Sequence, residues 1–300
     1  MNGFREILFT RPCRIGILKK EVRRDMVWWK KRSAWERELK AVLKAEEAFR
    51  NRQLSGRESI LNRVLTDKVP PKLDEKLRQA FYGAFSFLFA NGTGLIEKMY
   101  GSEAAERQYK MNAYAAGLKE SRKSLRAFSK KAAAAGSRNL VLAGAEGLGL
   151  GLLGVGLPDI PLFTAMIFKS LYELGSYYGF GHEEEEEKYW ILLLIQGALT
   201  YGGEFLKAEE ECERFIEHGT LPESYQQKDR MEKTCSLLSG ELLYMKFLQG
   251  VPVAGVLGGA CDVIYLNRIQ SYAKIKYRKR FLLKWKRELW RERGQKEYEG

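Results

Sequence analysis

Two carboxylates stand in apolar, glycine-rich stretches of the chain, where a buried acid could take part in chemistry. Asp159 lies between two prolines in the segment LPDIPLF, and Asp262 follows the small residues of GVPVAGVLGGAC. Burial raises the pKa of a carboxyl group unless hydrogen bonds stabilise its charge. These two residues are therefore the candidate catalytic groups of a hydrolase-like enzyme. The competing interpretation makes Asp159 a helix N-cap and gives Asp262 a hydrogen bond to a neighbouring helix.

An acidic run, HEEEEE, offers oxygen ligands for a metal ion, with His182, Glu183 and Glu186 as the candidate ligands. An HExxH zinc site would need a second histidine at position 186, which is glutamate. The alternative is a solvated helix start, because carboxylates favour the positive N-terminal end of a helix. A metal-dependent enzyme that uses buried carboxylates therefore stays a secondary hypothesis.

Nucleotide-binding signatures are weak or missing. The segment GLGLLG, which begins at Gly149, matches GxGxxG, but Pro158 would stop the following helix early and no strand precedes it. The chain contains no GxxxxGK[ST] segment, which argues against a P-loop nucleotidase. We therefore expect no nucleotide or other cofactor.

The C-terminal run SYAKIKYRKRFLLKWKRELWRERGQK interleaves basic and aromatic side chains. A basic amphipathic helix with Trp and Phe suits an anionic membrane surface, where each basic residue contributes about 1 kcal/mol. A terminal helix packed on the core would show the same pattern, and nucleic acid is a third option that no recognised motif supports. The candidate membrane-facing residues are Lys276, Arg278, Lys279, Arg280, Lys284, Trp285, Lys286, Arg287 and Trp290.

Positive charge is concentrated at the two ends of the 300-residue chain. Residues 1–68 hold 18 basic and 9 acidic side chains, residues 268–300 hold 12 and 4, and the chain as a whole carries +13. This imbalance favours an anionic surface as the partner over an acidic small substrate. The composition is otherwise that of a globular chain, with 45% hydrophobic and 30% charged residues, which argues against a disordered, fibrous or polytopic membrane protein.

Residues 139–181 differ from the rest of the chain, since they contain nine glycines and only four charged side chains. Prolines on both sides of Asp159 predict a bend, so we expect a helical hairpin with one glycine-lined arm. Such a face lets another helix approach closely, in a membrane or in a tight protein core. Both a buried core hairpin and one that lies against or dips into a bilayer fit this pattern. The predicted helix-packing glycines are Gly144, Gly147, Gly151 and Gly154.

Hydrophobic periodicity predicts helices along almost the whole chain, and no segment alternates as a strand would. Residues 21–53 are predicted to form one long helix with Trp35, Val42 and Phe49 on a single face. Further helices are predicted over 73–90, where Asn91-Gly92 signals a turn, over 102–135 and over 189–206. The expected fold is an all-α multi-helix bundle of nine or ten helices around the central glycine-rich hairpin.

Within these predicted helices, Leu118, Leu125 and Phe128 are expected to point inward, and Lys169 and Glu173 are placed four residues apart to pair. The four cysteines form no CxxC pair and lie in patterned segments, which favours a reducing compartment. We find no secretory signal and no comfortable 20-residue apolar span. A cytoplasmic location, peripheral at the inner face of the cell membrane, is therefore expected.

The sequence resembles the EcsC family of bacterial proteins at three places: the segment LPDIPLF through LYELGSYYGF, the segment PVAGVLGGACDVIYLNRI with the SYAKIKYRKRFL that follows, and WWKKRSAWERELK. Together they span roughly residues 25–285. The resemblance implies a helical cytoplasmic protein, and the family name derives from a gene cluster with an ABC transporter, which implies work linked to a membrane. Family members often carry Asn near the position of Asp262, and the basic residues 1–24 are not part of the family pattern.

These observations predict a basic N-terminal extension over 1–24, a single EcsC-like domain over 25–290 and a charged tail over 291–300. The leading functional hypothesis is a non-enzymatic accessory protein that associates with an anionic membrane surface or with a membrane protein, by family resemblance an ABC transporter. A metal-dependent or hydrolase-like enzyme is the alternative, and a basic nucleic-acid-binding protein is the third.

Overall fold

The computed structural model describes residues 33–55, 71–151, 160–181, 184–248 and 258–299. Over these ranges the chain is built of nine α-helices without a β-strand, which confirms the predicted all-α bundle. The helices are α1 (Ala34–Ser55), α2 (Pro71–Tyr100), α3 (Ser102–Leu118), α4 (Arg122–Gly151), α5 (Ile160–Tyr177), α6 (Glu185–Leu199), α7 (Gly202–His218), α8 (Gln227–Leu248) and α9 (Gly258–Glu299).

The core forms around α5 and α6, which are buried on nearly all sides. Every residue of α6 from Tyr189 to Leu199 is buried, as are most residues of α5. A helix that is apolar all round must be enclosed by others, and here α9 packs along α4, α5 and α6 while α2 and α8 cover the opposite side. Among the described residues, no helix is both long enough and apolar enough to cross a bilayer.

The two arms predicted for the glycine-rich hairpin are α4 and α5, which pack against each other. The bend at Asp159 and the glycine at position 154 lie outside the described residues, whereas Gly144, Gly147 and Gly151 belong to the last third of α4. The predicted pairing of Lys169 with Glu173 is wrong. The buried Glu173 instead accepts hydrogen bonds from Arg138 and Asn139, because α4 lies alongside it.

Two sequence-predicted helix boundaries are wrong. Helix α2 continues through Asn91-Gly92 to Tyr100, since Ile96 beyond this dipeptide is fully buried and its packing outweighs the roughly 1 kcal/mol cost of a helical glycine. The predicted helix over 189–206 ends at Leu199, where the side-chain amide of Gln53 donates to the carbonyls of Ala198 and Thr200.

The predicted helical stretch over 102–135 is also two helices, α3 and α4. Ser121 begins α4 with a reciprocal cap, because its hydroxyl accepts from the backbone N–H of Ser124 and the Ser124 hydroxyl accepts from the N–H of Ser121. The break exposes Leu118, which was expected to point inward, whereas Leu125 and Phe128 are buried as predicted. At the other end of the chain, α9 runs unbroken past residue 291, where the tail was predicted to begin.

Candidate functional site

The basic residues in the middle of α9 face the interior of the bundle, where they meet carboxylates from α1 and α7. Lys276 is fully buried, and its ammonium group donates to Glu46 and, at 2.6 Å, to Glu213. Lys279 bonds the second oxygen of each of the same two carboxylates, at 2.7 and 2.6 Å. Each carboxylate is therefore held by two cations. Beside these four residues, Arg50 pairs with Glu209 at 3.3 Å. We call the six residues together the buried ion network: Glu46, Arg50, Glu209, Glu213, Lys276 and Lys279.

The buried ion network balances its charge, with three cations against three carboxylates. Burial raises the pKa of Glu213, but the ammonium groups of Lys276 and Lys279 outweigh burial and hold that pKa at about 2. Burial lowers the pKa of Lys276, yet the neighbouring Tyr272 and Glu213 shift it the other way, well above its ordinary value. A network that balances its own charge has no surplus charge with which to bind an ionic ligand, so its role is to join α1, α7 and α9.

The thiol of Cys212, beside this network, is unreactive at neutral pH. Cys212 is fully buried and accepts a hydrogen bond from the hydroxyl of Tyr272, with 3.6 Å between the oxygen and the sulfur. Burial raises the pKa of Cys212 to about 12, so the thiolate that a nucleophilic cysteine needs is not formed at neutral pH.

Arg280 is enclosed by aromatic rings. Its guanidinium lies 4.1 Å from the ring centre of Phe180, 4.9 Å from Phe215 and 5.4 Å from Trp190, and it pairs with the buried Glu187. Burial raises the pKa of Glu187, and Arg280 opposes that shift. Glu187 belongs to the acidic run HEEEEE, which contains the candidate metal ligands. Its pairing with Arg280 joins α6 to α9.

The prediction that α9 presents its cations to a membrane is therefore wrong for Lys276, Lys279 and Arg280. Lys276 and Lys279 are buried, and Arg278 and Arg280 are largely covered and ion-paired. The physical reason is that acidic partners from distant helices meet these cations inside the bundle.

The remaining membrane-facing candidates have mixed surroundings. Lys284 and Lys286 are half-buried beside the rings of Phe180 and Trp35, and Trp285 packs on Phe128. Arg287 is exposed and donates to the carbonyls of Ile216 and Glu217 at the end of α7, and the side chain of Trp290 lies outside the described residues.

A different helix carries the exposed positive charge. The first part of α4, from Arg122 to Arg138, contains six basic residues and no acidic one. Arg122, Arg126 and Lys130 share one side of the helix because they are spaced four residues apart, and Lys123, three residues before Arg126, lies at the edge of the same side. All four are exposed to solvent at least in part. We call these four residues the basic face of α4.

A single buried carboxylate lies beneath this face. Glu38 of α1 accepts hydrogen bonds from the Nε atoms of Arg122 and Arg126, at 2.7 and 2.9 Å, and from Arg278 of α9. Burial raises the pKa of Glu38, but the three guanidinium groups outweigh it and the pKa is lowered. One negative charge against three positive ones leaves a surplus of two at this junction.

An open cleft of about 340 Å³ lies where α1, α4 and α9 meet, and we call it the basic cleft. Ser129, in the wall of this cleft, accepts a hydrogen bond from the hydroxyl of the buried Tyr178 at 3.1 Å. Burial raises the pKa of Tyr178 to about 12, so this phenol stays protonated and leaves the hydrogen of Ser129 available for another acceptor. The cleft is lined by Ala41, Arg126, Ser129, Lys130 and Arg278.

An exposed apolar row adjoins the basic face along the chain. Met111, Tyr114 and Leu118 of α3 are about 70% exposed and share one side of the helix, being spaced three and four residues apart. The row ends four residues before Arg122, the first residue of the basic face. Large apolar side chains that cluster on a surface mark sites of interaction with a protein or a membrane.

The candidate chemical residues are not brought together by the described part of the chain. Asp159, His182 and Glu183 lie outside the described residues, as does the side chain of Asp262, which is the fifth residue of α9. Glu186 is half-buried in the first turn of α6. The described residues contain no group of three His, Cys, Asp or Glu side chains able to hold a metal ion.

Sequence reasoning missed the basic face and its apolar neighbour, although one signal was available. The run RKSLRAFSKK holds five basic residues without an acidic one, but net charge counted over the long middle segment hides this local excess. Periodicity also predicted that Leu118 points inward, because it did not predict that one helix ends at Leu118 and another begins after Ser121.

Comparison with protein-family profiles gives a match to the EcsC protein family over residues 33–282. The chain belongs to the EcsC family. The match covers all of α1 to α8 and the first 25 residues of α9, so both the basic face and the buried ion network lie within the family region. Searches of curated proteins and of solved structures gave no significant match.

Proposed function

We propose that this EcsC family protein is a non-enzymatic accessory protein that binds peripherally to the anionic inner surface of the cell membrane. The observation that carries the proposal is that the exposed apolar row, Met111, Tyr114 and Leu118, ends only four residues before the basic face of α4 begins. Interfacial membrane-binding elements combine these two features, because apolar side chains enter the acyl boundary while Lys and Arg remain at the headgroups.

The charges of the basic face support the same proposal. Lys123 and Lys130 have no ion pair with a described carboxylate, and Glu38 neutralises only one of the three arginines around it. Each basic residue near an anionic bilayer contributes about 1 kcal/mol, and salt screens that attraction. A membrane protein with an acidic cytoplasmic surface would attract the same face, and family resemblance suggests an ABC transporter as one such partner.

Co-sedimentation with vesicles tests the proposal. The purified protein is mixed with vesicles of neutral lipid, or with vesicles containing phosphatidylglycerol, at low and at high salt. We expect binding to the anionic vesicles that weakens with salt, with a residual part that the apolar row supports. Protein that stays in the supernatant with anionic vesicles at low salt would refute direct membrane binding. A parallel filter assay with duplex DNA tests whether the basic face serves nucleic acid instead.

A further inference from the structure

The basic cleft has more hydrogen-bond donors than its own protein acceptors can use. Arg126 gives only its Nε to Glu38, and its terminal amino groups have no protein acceptor among the described residues. The same holds for Lys130 and for the hydroxyl hydrogen of Ser129. These donors line one cleft, and they belong to a helix segment that contains no acid.

The buried carboxylate makes these donors a built site rather than a loose group of surface cations. Glu38 is 1% exposed and holds guanidinium groups from α4 and α9 by hydrogen bonds. An arginine fixed in this way does not lose its side-chain freedom when a ligand arrives, so less of the binding free energy is lost to ordering. The guanidinium fork of Arg126 is then free to bind two oxygens of one anion.

We infer that the basic cleft binds a phosphomonoester group, with Arg126, Lys130 and Arg278 contributing charge and Ser129 donating a hydrogen bond. Counting Arg122 and Glu38 as well, the cleft carries a net charge of about +3, which suits a phosphomonoester with its near-double charge better than a singly charged phosphodiester. The same chemistry occurs in the headgroup of phosphatidic acid and in soluble phosphomonoesters. For phosphatidic acid as the ligand, this inference rests on the proposed membrane function. For a soluble phosphomonoester it does not.

The test compares phosphatidic acid with phosphatidylglycerol in vesicles adjusted to equal surface potential. We expect the wild-type protein to bind the phosphatidic acid vesicles at least tenfold more tightly. Glycerol 3-phosphate, added in solution, is expected to compete for that preference. Its own binding is measured by isothermal titration calorimetry.

Three variants connect the preference to the cleft. Arg126→Gln is expected to remove the preference for phosphatidic acid, and Arg126→Lys to retain general anionic binding while losing most of the preference, since lysine lacks the planar fork. The control is Arg78→Gln, which removes an exposed arginine paired with Asp74 on the same helix, α2, and should leave the preference intact. Circular dichroism confirms that each variant is folded.

The outcomes separate this inference from the proposed function. Equal binding to both anionic lipids, unchanged in Arg126→Gln and without glycerol 3-phosphate binding, would overturn the phosphomonoester site and leave membrane binding standing. Glycerol 3-phosphate binding that Arg126→Gln abolishes, without binding to any vesicle, would support the site with a soluble ligand and refute membrane binding. Absence of binding to vesicles and to glycerol 3-phosphate would overturn both.

Discussion

The buried ion network makes the substitution Lys276→Met informative, because methionine keeps an unbranched chain of similar length and removes only the charge. In the wild-type protein the Lys276 ammonium bonds Glu46 and Glu213 and lies 3.8 Å from Glu209. Without it, three carboxylates must share Arg50 and Lys279. One of them, Glu209, has a buried side chain.

Removing one partner of a buried ion pair costs about 3–5 kcal/mol, because the remaining charge stays in the interior without compensation. Lys276 is fully buried, so we expect a loss in this range for Lys276→Met. A chain of this size changes its melting temperature by roughly 2–4 °C for each kcal/mol, which gives a decrease of about 6–20 °C.

Urea unfolding at pH 7, followed by circular dichroism, measures the free energy of unfolding. Lys284→Met is the control on the same helix, since its ammonium is 3.9 Å from Glu288 and both side chains are about half exposed. Its expected cost is below about 1 kcal/mol. A loss for Lys276→Met as small as that of the control would refute the structural role of the buried ion network.

A double variant gives a second criterion. Glu213→Gln removes one of the carboxylates that Lys276→Met deprives of one of its two cationic partners. The cost of the two substitutions together should therefore be clearly smaller than the sum of their separate costs. Additive costs would mean that the two side chains do not interact in the folded protein.

Three further outcomes follow from the described contacts. The pKa of Glu213 is lowered in the folded state to about 2, so the stability that this carboxylate contributes should be complete above pH 4.5 and disappear as pH falls toward 2. Urea unfolding measures this across the same pH range, and the free energies of unfolding of wild type and Glu213→Gln should converge as pH falls. Gly197→Ala should cost about 1–3 kcal/mol in thermal unfolding, because the new methyl group would lie 2.5 Å from a buried tyrosine ring, whereas Gly203→Ala meets no atom within 4 Å and should be nearly neutral. Burial raises the pKa of Cys212 and of Cys235 to about 12, so iodoacetamide should modify these two thiols only after the protein unfolds. Mass spectrometry detects the label, and rapid modification of either thiol in the native protein would contradict their burial.

The sequence predicted the helical class and much of the core, because hydrophobic periodicity reports which side of a helix is buried. Val42 and Phe49, seven residues apart, are both buried on α1. The same periodicity could not say what lies opposite a helix. The cations of α9 were therefore predicted to face a membrane surface, although Lys276 bonds Glu46, which lies 230 positions earlier in the chain.

The candidate site shows a second limit of sequence reasoning. The basic face depends on where α4 begins, and that depends on a two-serine cap that a scan for S/T-x-x-E/Q does not detect. The basic cleft further requires Glu38 and Arg278, which are 240 positions apart, to meet at the same place. Contacts of this kind come from tertiary packing, which local sequence patterns do not encode.

The most direct test of the proposed function compares two variants that each lose three positive charges. One changes Lys123, Arg126 and Lys130 to Gln and neutralises most of the basic face, and the control changes three lysines of α7 and α8 in the same way. At about 1 kcal/mol for each basic residue, the first variant should bind vesicles containing phosphatidylglycerol at low salt about 100-fold more weakly than wild type, whereas the control should stay within a few-fold. Equal weakening in both variants would show that only the net charge of the protein matters and would contradict a membrane-binding role for α4. The control lysines are Lys207, Lys228 and Lys233.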